Sequence, residues 1–187
     1  MTRTEIKLAG FGGQGIVLAG YILGKAISIY DKQNAVLTQS YGPEARGGAC
    51  SADVVYADGE IDYPEVTVPN IVVIMSQEAY STYAKNINKN GILLIDEDLV
   101  KIGKNNKKIK VYSIPSTRLA EKLGRKIVAN IVMLGFFTAI TNIVTLEGLK
   151  KSLLDSVPKG TEQLNLSALM KGHDYGINLK GSKKIVD

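Results

Sequence analysis

The chain has 187 residues, of which 45% are hydrophobic and 22% are charged. This is an ordinary globular composition, and it excludes collagen, coiled coil and intrinsic disorder. We expect a single domain over residues 1–187, with a frayed tail from about residue 177. The net charge of +5 is modest and by itself indicates no class of partner.

The chain has one cysteine, Cys50, and one histidine, His173. An intrachain disulfide is therefore impossible, which fits a reducing compartment, and we expect a cytoplasmic protein. One thiol and one imidazole cannot build an iron–sulfur site or a zinc quartet, so we expect no metal site in this chain. We interpret Cys50 as a small apolar core residue and His173 as non-catalytic.

The first half of the sequence reads as strands interrupted by turns. A strand over residues 5–9 runs into a glycine-rich turn and a helix over residues 16–27. A second strand covers residues 35–38, and a loop rich in glycine and proline leads to a third strand over residues 50–56. The turn signal Asp58-Gly59 predicts that residues 60–63 form the return arm of a hairpin.

The second half predicts the centre of a sheet and then a helical region. Continuous apolar runs over residues 70–75 and 91–96 are typical of strands buried on both faces. A helix is expected between them at residues 77–87, and the alternating run 108–114 predicts an edge strand. Helices follow at residues 116–123, 127–144 and 146–156, with a weaker one at 161–171. The fold class is therefore α/β, a doubly wound, mostly parallel, Rossmann-like sheet with a helical C-terminal third.

Two stretches bear on membranes and nucleic acids. Residues 127–144 carry no charge, but they fall short of the ~20 residues of a membrane span and include two asparagines, which favours a buried core helix. A lysine-rich stretch lacks the interleaved aromatic residues of a nucleic-acid platform, and we interpret it as a solvated face. Its members are Lys85, Lys89, Lys101, Lys104, Lys107, Lys108 and Lys110. We expect neither a membrane nor a nucleic-acid partner.

The glycine-rich turn Gly10-x-Gly12-x-x-Gly15 follows a strand and opens a helix, the context of a dinucleotide fingerprint. Backbone N–H groups at such a turn favour an anion, so the candidate ligand-binding residues are Gly12, Gly13, Gln14 and Gly15. Two features weaken an NAD site: no acidic residue ends the second strand, and the Gln14 amide could fill the pyrophosphate space. Three interpretations of this turn stay open. Its glycines serve packing, or it binds a phosphate or nucleotide, or it binds NAD.

A second candidate lies in the loop after the second strand, where Arg46 is followed by Gly47 and Gly48. An arginine beside glycines suits bidentate binding of a phosphate or carboxylate, which makes these three residues candidate ligand contacts. A salt bridge to Glu44 and a subunit interface are equally open. The acidic run 96–98 is interpreted as a turn cap. The sequence shows no nucleophile with a base, and we assign no catalytic residue.

Two segments together resemble a known family. Gly10-Phe11-Gly12-Gly13-Gln14-Gly15 and Gln39-Ser40-Tyr41-Gly42-Pro43-Glu44-Ala45-Arg46-Gly47-Gly48 are similar to the gamma subunit of 2-oxoacid:ferredoxin (acceptor) oxidoreductases. The resemblance extends to about residue 157. The second segment is closer to the 2-oxoglutarate branch than to the pyruvate branch.

The resemblance implies a heteromeric oxidoreductase that converts a 2-oxoacid and coenzyme A to acyl-CoA and CO2, with electrons passing to ferredoxin. It implies alpha, beta and, where present, delta subunits as partners. It also implies thiamine diphosphate, Mg2+ and iron–sulfur clusters held by those other subunits. The gamma chain would be structural or would help to place coenzyme A. We expect the isolated chain to be inactive, to bind no cofactor alone and to form a homodimer. A free-standing nucleotide- or NAD-binding oxidoreductase and a pure assembly scaffold are the alternatives.

Overall fold

The computed structural model describes residues 3–40, 49–103 and 109–182. Within these ranges six strands form one sheet in the spatial order β2-β3-β1-β4-β5-β6. The strands are β1 (Arg3–Phe11), β2 (Asn34–Ser40), β3 (Ala49–Ala57), β4 (Ile71–Ile74), β5 (Ile92–Asp96) and β6 (Lys110–Ile114). The α-helices are α1 (Ile16–Lys25), α2 (Gln77–Tyr83), α3 (Ser116–Lys122), α4 (Ala129–Thr141), α5 (Leu146–Leu154) and α6 (Glu162–Gly181).

The sheet is parallel except for one strand. β4 pairs parallel with β1, β5 with β4, and β6 with β5. β3 runs antiparallel to both of its neighbours, β1 and β2, so β2 points the same way as β1. The predicted mostly parallel α/β sheet is therefore confirmed, with β3 as its reversed strand.

The strands predicted to be buried on both faces lie inside the sheet. In β4, Ile71 and Val73 face the larger core with α1, α3, α4, α5 and α6, whereas Val72 and Ile74 face a smaller core with α2. Helices thus cover both faces, as a doubly wound sheet requires. β6 lies at the edge of the sheet, as its alternating sequence predicted.

The helical C-terminal third packs on the larger core. Every residue of α4 from Ala129 to Ile140 is buried, which confirms the prediction of a buried apolar helix. No helix in the described ranges is both long enough and apolar enough to cross a membrane. α4 and α6 touch through glycines: a Cβ on Gly172 would lie 1.8 Å from the carbonyl oxygen of Val132. The backbones of these two helices are therefore in direct contact.

Two expectations about elements differ from the structure. The predicted hairpin arm at residues 60–63 is wrong, because these residues form no strand. β3 is already paired on both sides, with β1 and β2, so it has no free edge for another strand. The C-terminal helix is also longer than the weak pattern at 161–171 predicted, since α6 spans 20 residues. Its buried positions include Ala168, Gly172 and Gly176. Because these residues are small, the buried face of α6 does not stand out as a row of large apolar residues in the sequence.

Candidate functional site

The glycine turn (residues 10–15) connects the carboxyl end of β1 to α1. Gly13 and Gly15 have φ angles of 95° and 72°, a backbone region that favours glycine. Gly12 and Gly13 are exposed, and a Cβ on Gly13 would meet open space. Among the described residues no side chain caps α1, and no acidic residue lies in the first turn of this helix. The exposed turn and the positive end of α1 therefore form a surface suited to an anion.

The side chain of Gln14 spans the gap between the ends of β1 and β4. Its Nε2 donates to the carbonyl of Met75 at 2.8 Å, and its Oε1 accepts from the N–H of Phe11 at 2.6 Å. β1 and β4 lead to helices on opposite faces, so this gap is the switch point where such sheets bind nucleotides. Both polar atoms of the Gln14 side chain are used within the chain, and the amide fills the gap, as the sequence suggested.

A second side-chain amide, that of Asn130, contacts the turn although it lies 115 residues away in the sequence. Asn130 is 4% exposed, its Nδ2 donates to the carbonyl of Gly15 at 3.0 Å, and its Oδ1 accepts from the N–H of Ile131 at 2.9 Å. The starts of α1 and α4 therefore meet at one point. Asn130 was not among the predicted site residues. A buried asparagine at the start of an apolar helix was the available signal.

The arginine loop leaves the sheet at the same edge. Arg46, Gly47 and Gly48 lie outside the described residues, and so do Tyr41 and Pro43, which we expect at a subunit interface. The described ends of this segment are Ser40, opposite Ser51, and Ala49, which pairs with Phe11 beside the glycine turn. The end of β2 and the start of β3 thus lie at the same edge of the sheet as the glycine turn, where the ligand crevice is predicted.

Two exposed cations precede Asn130 in the sequence. Arg125 and Lys126 precede α4 in the turn that leads to Asn130, and the Lys126 side chain is 66% exposed. The Lys126 ammonium lies 3.8 Å from the Glu121 carboxylate. Neither residue was among the predicted site residues.

The acidic partner that an NAD site needs is not supplied by Asp31. That residue precedes β2 and therefore lies toward the opposite edge of the sheet. Its carboxylate accepts from the N–H of Thr145 at 2.7 Å and from the Thr145 hydroxyl at 2.6 Å. Asp31 holds the start of α5, and this argues against a dinucleotide site of the usual kind.

The acidic run 96–98 begins at the last residue of β5 and acts as structural support. Asp96 is fully buried and accepts from the Ser116 hydroxyl at 2.5 Å and from the N–H of Thr117 at 2.9 Å. It also accepts from the N–H of Asp98, which confirms the predicted turn cap. Arg118 lies 3.1 Å from Glu97 and 2.9 Å from Asp98. Among the described side chains, no group of three or more His, Cys, Asp or Glu could hold a metal ion.

The single thiol and the imidazole also take structural positions. Cys50 is 7% exposed and belongs to the larger core, which confirms its interpretation as a core residue. Burial raises the pKa of its thiol. His173 is half-buried on α6, and its Nδ1 lies 3.9 Å from the carboxylate of the neighbouring Asp174.

Comparison with known proteins gives a match over nearly the whole chain. Residues 5–175 match the family model described as pyruvate ferredoxin/flavodoxin oxidoreductase. The chain is 55% identical to the 2-oxoglutarate synthase subunit KorC of Methanocaldococcus jannaschii, over 95% of this chain and 96% of that protein.

Two solved structures are similar in fold. The keto/oxoacid ferredoxin oxidoreductase gamma subunit of Geobacter sulfurreducens superposes with a TM-score of 0.87 and 37% identity, over 95% of this chain and 98% of that one. A 2-oxoglutarate:ferredoxin oxidoreductase from Magnetococcus marinus, solved with 2-oxoglutarate, coenzyme A and succinyl-CoA bound, gives a TM-score of 0.84 at 20% identity. This chain covers 96% of its own length and 32% of that chain, and at such identity the match shows the fold alone.

The fold and the glycine turn define a Rossmann-like α/β domain whose turn is exposed and whose switch point is filled by the Gln14 side chain. The comparisons make the assignment specific. The chain belongs to the pyruvate ferredoxin/flavodoxin oxidoreductase family, and the resemblance seen in the two glycine-containing segments is confirmed.

Proposed function

We propose that this chain is the gamma subunit of a heteromeric 2-oxoglutarate:ferredoxin oxidoreductase. The observation that carries the proposal is the 55% identity to a 2-oxoglutarate synthase subunit over 95% of one chain and 96% of the other. In this reading the complex decarboxylates 2-oxoglutarate oxidatively, forms succinyl-CoA from coenzyme A, and passes two electrons to ferredoxin. Alpha, beta and, where present, delta subunits are the partners, and we place the complex in the cytoplasm.

The cofactors of the reaction belong to the other subunits in this proposal. An iron–sulfur cluster needs several thiolates, and this chain has one cysteine, which is buried. The Gln14 amide fills the switch point between β1 and β4 where a diphosphate would otherwise lie. The residues therefore do not fit a cluster, and they do not offer thiamine diphosphate the usual nucleotide crevice. That the isolated chain is inactive and binds no cofactor stays a prediction.

The chain itself contributes an anion-binding edge to the complex. The backbone N–H groups of Gly12, Gly13 and Gly15 would donate to a phosphate of coenzyme A at the positive end of α1. Arg46 with Gly47 and Gly48 would supply a guanidinium from the adjacent segment. Gln14 holds the turn through its side chain. Coenzyme A is the polyanionic participant in the reaction, so it is the ligand that this edge suits.

Purification from the native source tests the assembly. We expect alpha and beta chains to copurify and to be identified by mass spectrometry, and the complex to reduce a dye faster with 2-oxoglutarate than with pyruvate. Isolation of the chain without such partners would contradict the proposal. A preference for pyruvate would leave the gamma subunit assignment in place and move the enzyme to the pyruvate branch.

Substitution of the arginine tests the placement of coenzyme A. In the complex, Arg46→Ala should raise the KM for coenzyme A roughly 10- to 150-fold, because a charge-assisted contact contributes about 1.5–3 kcal/mol. The KM for 2-oxoglutarate should not change. If the variant complex dissociates, or keeps its KM for coenzyme A, Arg46 acts at a subunit contact instead.

The position of the Gln14 amide at the switch point supports the gamma subunit over the alternative of a free-standing NAD enzyme. We expect no heat of binding when NAD+ is titrated into the purified chain. Micromolar binding would favour the alternative, and it would require the Gln14 side chain to leave the gap between β1 and β4.

A further inference from the structure

Two helix starts are joined at the glycine turn by a single side chain. Asn130, the second residue of α4, donates to the carbonyl of Gly15, which is the residue before α1. The Gly15 carbonyl also accepts the first hydrogen bond of α1, from the N–H of Ala19 at 2.9 Å. Asn130 therefore holds the peptide group from which α1 begins.

The contact between Gly15 and Asn130 leaves no room for a side chain on Gly15. A Cβ on Gly15 would lie 2.4 Å from Nδ2 of Asn130, well inside van der Waals contact. Gly15 also has a φ of 72°, so glycine is favoured there by conformation as well as by space. The Asn130 amide is 4% exposed and both of its polar groups are paired, which fixes its orientation.

Asn130 supports the turn from the opposite side to Gln14. Gln14 ties the turn to the end of β4, within the sheet, whereas Asn130 ties it to α4, which is buried from Ala129 to Ile140. The N–H groups of an anion site contribute most when they are held in place before the ligand arrives, since no ordering is then needed on binding. Because Asn130 is fixed in the buried helix α4, its hydrogen bond to Gly15 restrains the exposed turn.

We propose that Asn130 is a positioning residue for the anion-binding turn, and that it sets the affinity of the complex for coenzyme A without touching it. This inference rests on the proposed function. It makes Asn130 a determinant of binding and not of the chemical step, because the residue holds donors that contact a bound ligand equally in the ground and transition states.

The kinetic test uses two variants in the assembled complex. Asn130→Asp replaces the donor facing the Gly15 carbonyl with an acceptor and adds negative charge near the start of α1. We expect the KM for coenzyme A to rise at least about tenfold, with kcat and the KM for 2-oxoglutarate changed less than about twofold. Asn130→Ala should give a smaller rise in the same parameter.

Ser152→Ala is the matched control. Ser152 is also fully buried on a C-terminal helix and also donates to a carbonyl of α1, that of Ile22 at 2.7 Å, but far from the turn. It should lower stability and leave the KM for coenzyme A unchanged. A KM that rises equally in both variants, or in neither, would overturn the proposal and make Asn130 a purely structural residue.

The contact itself is tested by unfolding the full chain. Gly15→Ala should be at least about tenfold more destabilising in the unfolding equilibrium constant than Gly160→Ala, which has a similar φ of 87° but open space around its Cβ. That excess should disappear in the Asn130→Ala background, where the clash is gone. If the effects of Gly15→Ala and Asn130→Ala on stability are simply additive, the contact is contradicted.

If the activity of the wild-type complex does not depend on coenzyme A, the proposed function is wrong, and the positioning role for that ligand is wrong with it.

Discussion

The side-chain amide of Gln14 donates to the main-chain carbonyl of Met75 at 2.8 Å and so joins the ends of two adjacent parallel strands. The same amide accepts from the N–H of Phe11, within its own turn. A Cβ on Gly10 would lie 2.5 Å from the Gln14 oxygen, which explains the glycine at that position. One side chain thus closes the crevice that related folds use for nucleotides, and it leaves the outer side of the turn exposed.

Removal of this amide should destabilise the chain. Gln14→Ala loses two hydrogen bonds and leaves the Phe11 N–H and the Met75 carbonyl without that partner, so we expect the free energy of unfolding to fall by about 1–3 kcal/mol. Urea unfolding followed by circular dichroism measures it. Gln163→Ala, at an exposed position of α6, is the control and should change stability by less than about 0.5 kcal/mol. Equal effects would show that the amide contributes little.

The contact between α4 and α6 should not accept a methyl group. Gly172→Ala places a Cβ 1.8 Å from the Val132 carbonyl and must push the two helices apart. Overpacking costs about 1–3 kcal/mol or more, so we expect Tm to fall by several degrees. Gly181→Ala, in the same helix but with nothing within 4 Å of the new Cβ, should leave Tm nearly unchanged. Thermal unfolding of both variants checks the prediction.

Loss of the ion pair between Lys7 and Asp53 should make the free energy of unfolding depend on pH. Lys7 Nζ lies 2.6 Å from the Asp53 carboxylate and 5.0 Å from the centre of the Tyr83 ring, and the two charged side chains are 13% and 16% exposed. Burial raises the pKa of Asp53 above its ordinary 3.8, while the hydrogen bond and charge of Lys7 lower it. Without Lys7, only the effects that raise the pKa of Asp53 remain.

Lys7→Met should therefore be destabilised more at pH 7 than at pH 4. A raised pKa means that the folded state binds the proton more readily than the unfolded chain, so this contribution is present below pH 3.8 and is lost as pH rises through the folded pKa. We expect a loss of about 3 kcal/mol at pH 7, measured by urea unfolding at both pH values. Lys7→Met/Asp53→Leu should recover much of it. A loss independent of pH would contradict the assignment.

The Cys50 thiol should be unreactive in the folded chain. It is 7% exposed, and burial raises its pKa above the ordinary 9.0, so less thiolate forms at a given pH. We expect alkylation by iodoacetamide at pH 8 to be at least about tenfold slower than in urea-unfolded chain. Equal rates in the two states would show that the site is open to reagent.

An apolar surface on α1 should contact other subunits. Leu18 and Tyr21 are 36% and 48% exposed, and with Leu37 they line a groove between α1 and the edge strand β2. The groove also includes Thr38 and Gln39, near the end of β2. Leu18→Lys/Tyr21→Lys should weaken assembly of the complex on gel filtration, because partner surfaces that bury apolar side chains would have to accept charge.

The isolated chain provides a second measurement of the same surface. We expect the wild type to self-associate in light scattering and the double variant to do so less. Ile177→Lys, at an exposed position of α6, is the control and should leave both behaviours unchanged. A wild-type chain that is strictly monomeric would contradict the expected homodimer. It would not bear on assembly with the other subunits.

The sequence by itself determined the parts of this protein that depend on local pattern. The apolar runs around Ile71 and Leu93 predicted central strands, since strands covered on both faces need apolar residues at every position. The uncharged run before Val144 predicted a buried helix for the same reason. The spacing of Gly10, Gly12 and Gly15 predicted the turn, and within it Gly13 and Gly15 have the positive φ angles that favour glycine.

The tertiary structure decided the direction of β3, the partners of Gln14 and the role of Asn130. β3 reverses because only eight residues separate it from β2, too few for the crossover that a parallel neighbour needs. Gln14 and Met75 are 61 residues apart and meet only because β4 adds beside β1. Asn130 lies 115 residues from Gly15. Such contacts follow from strand order and helix packing, which depend on the free energy of the whole core and leave no local pattern in the sequence.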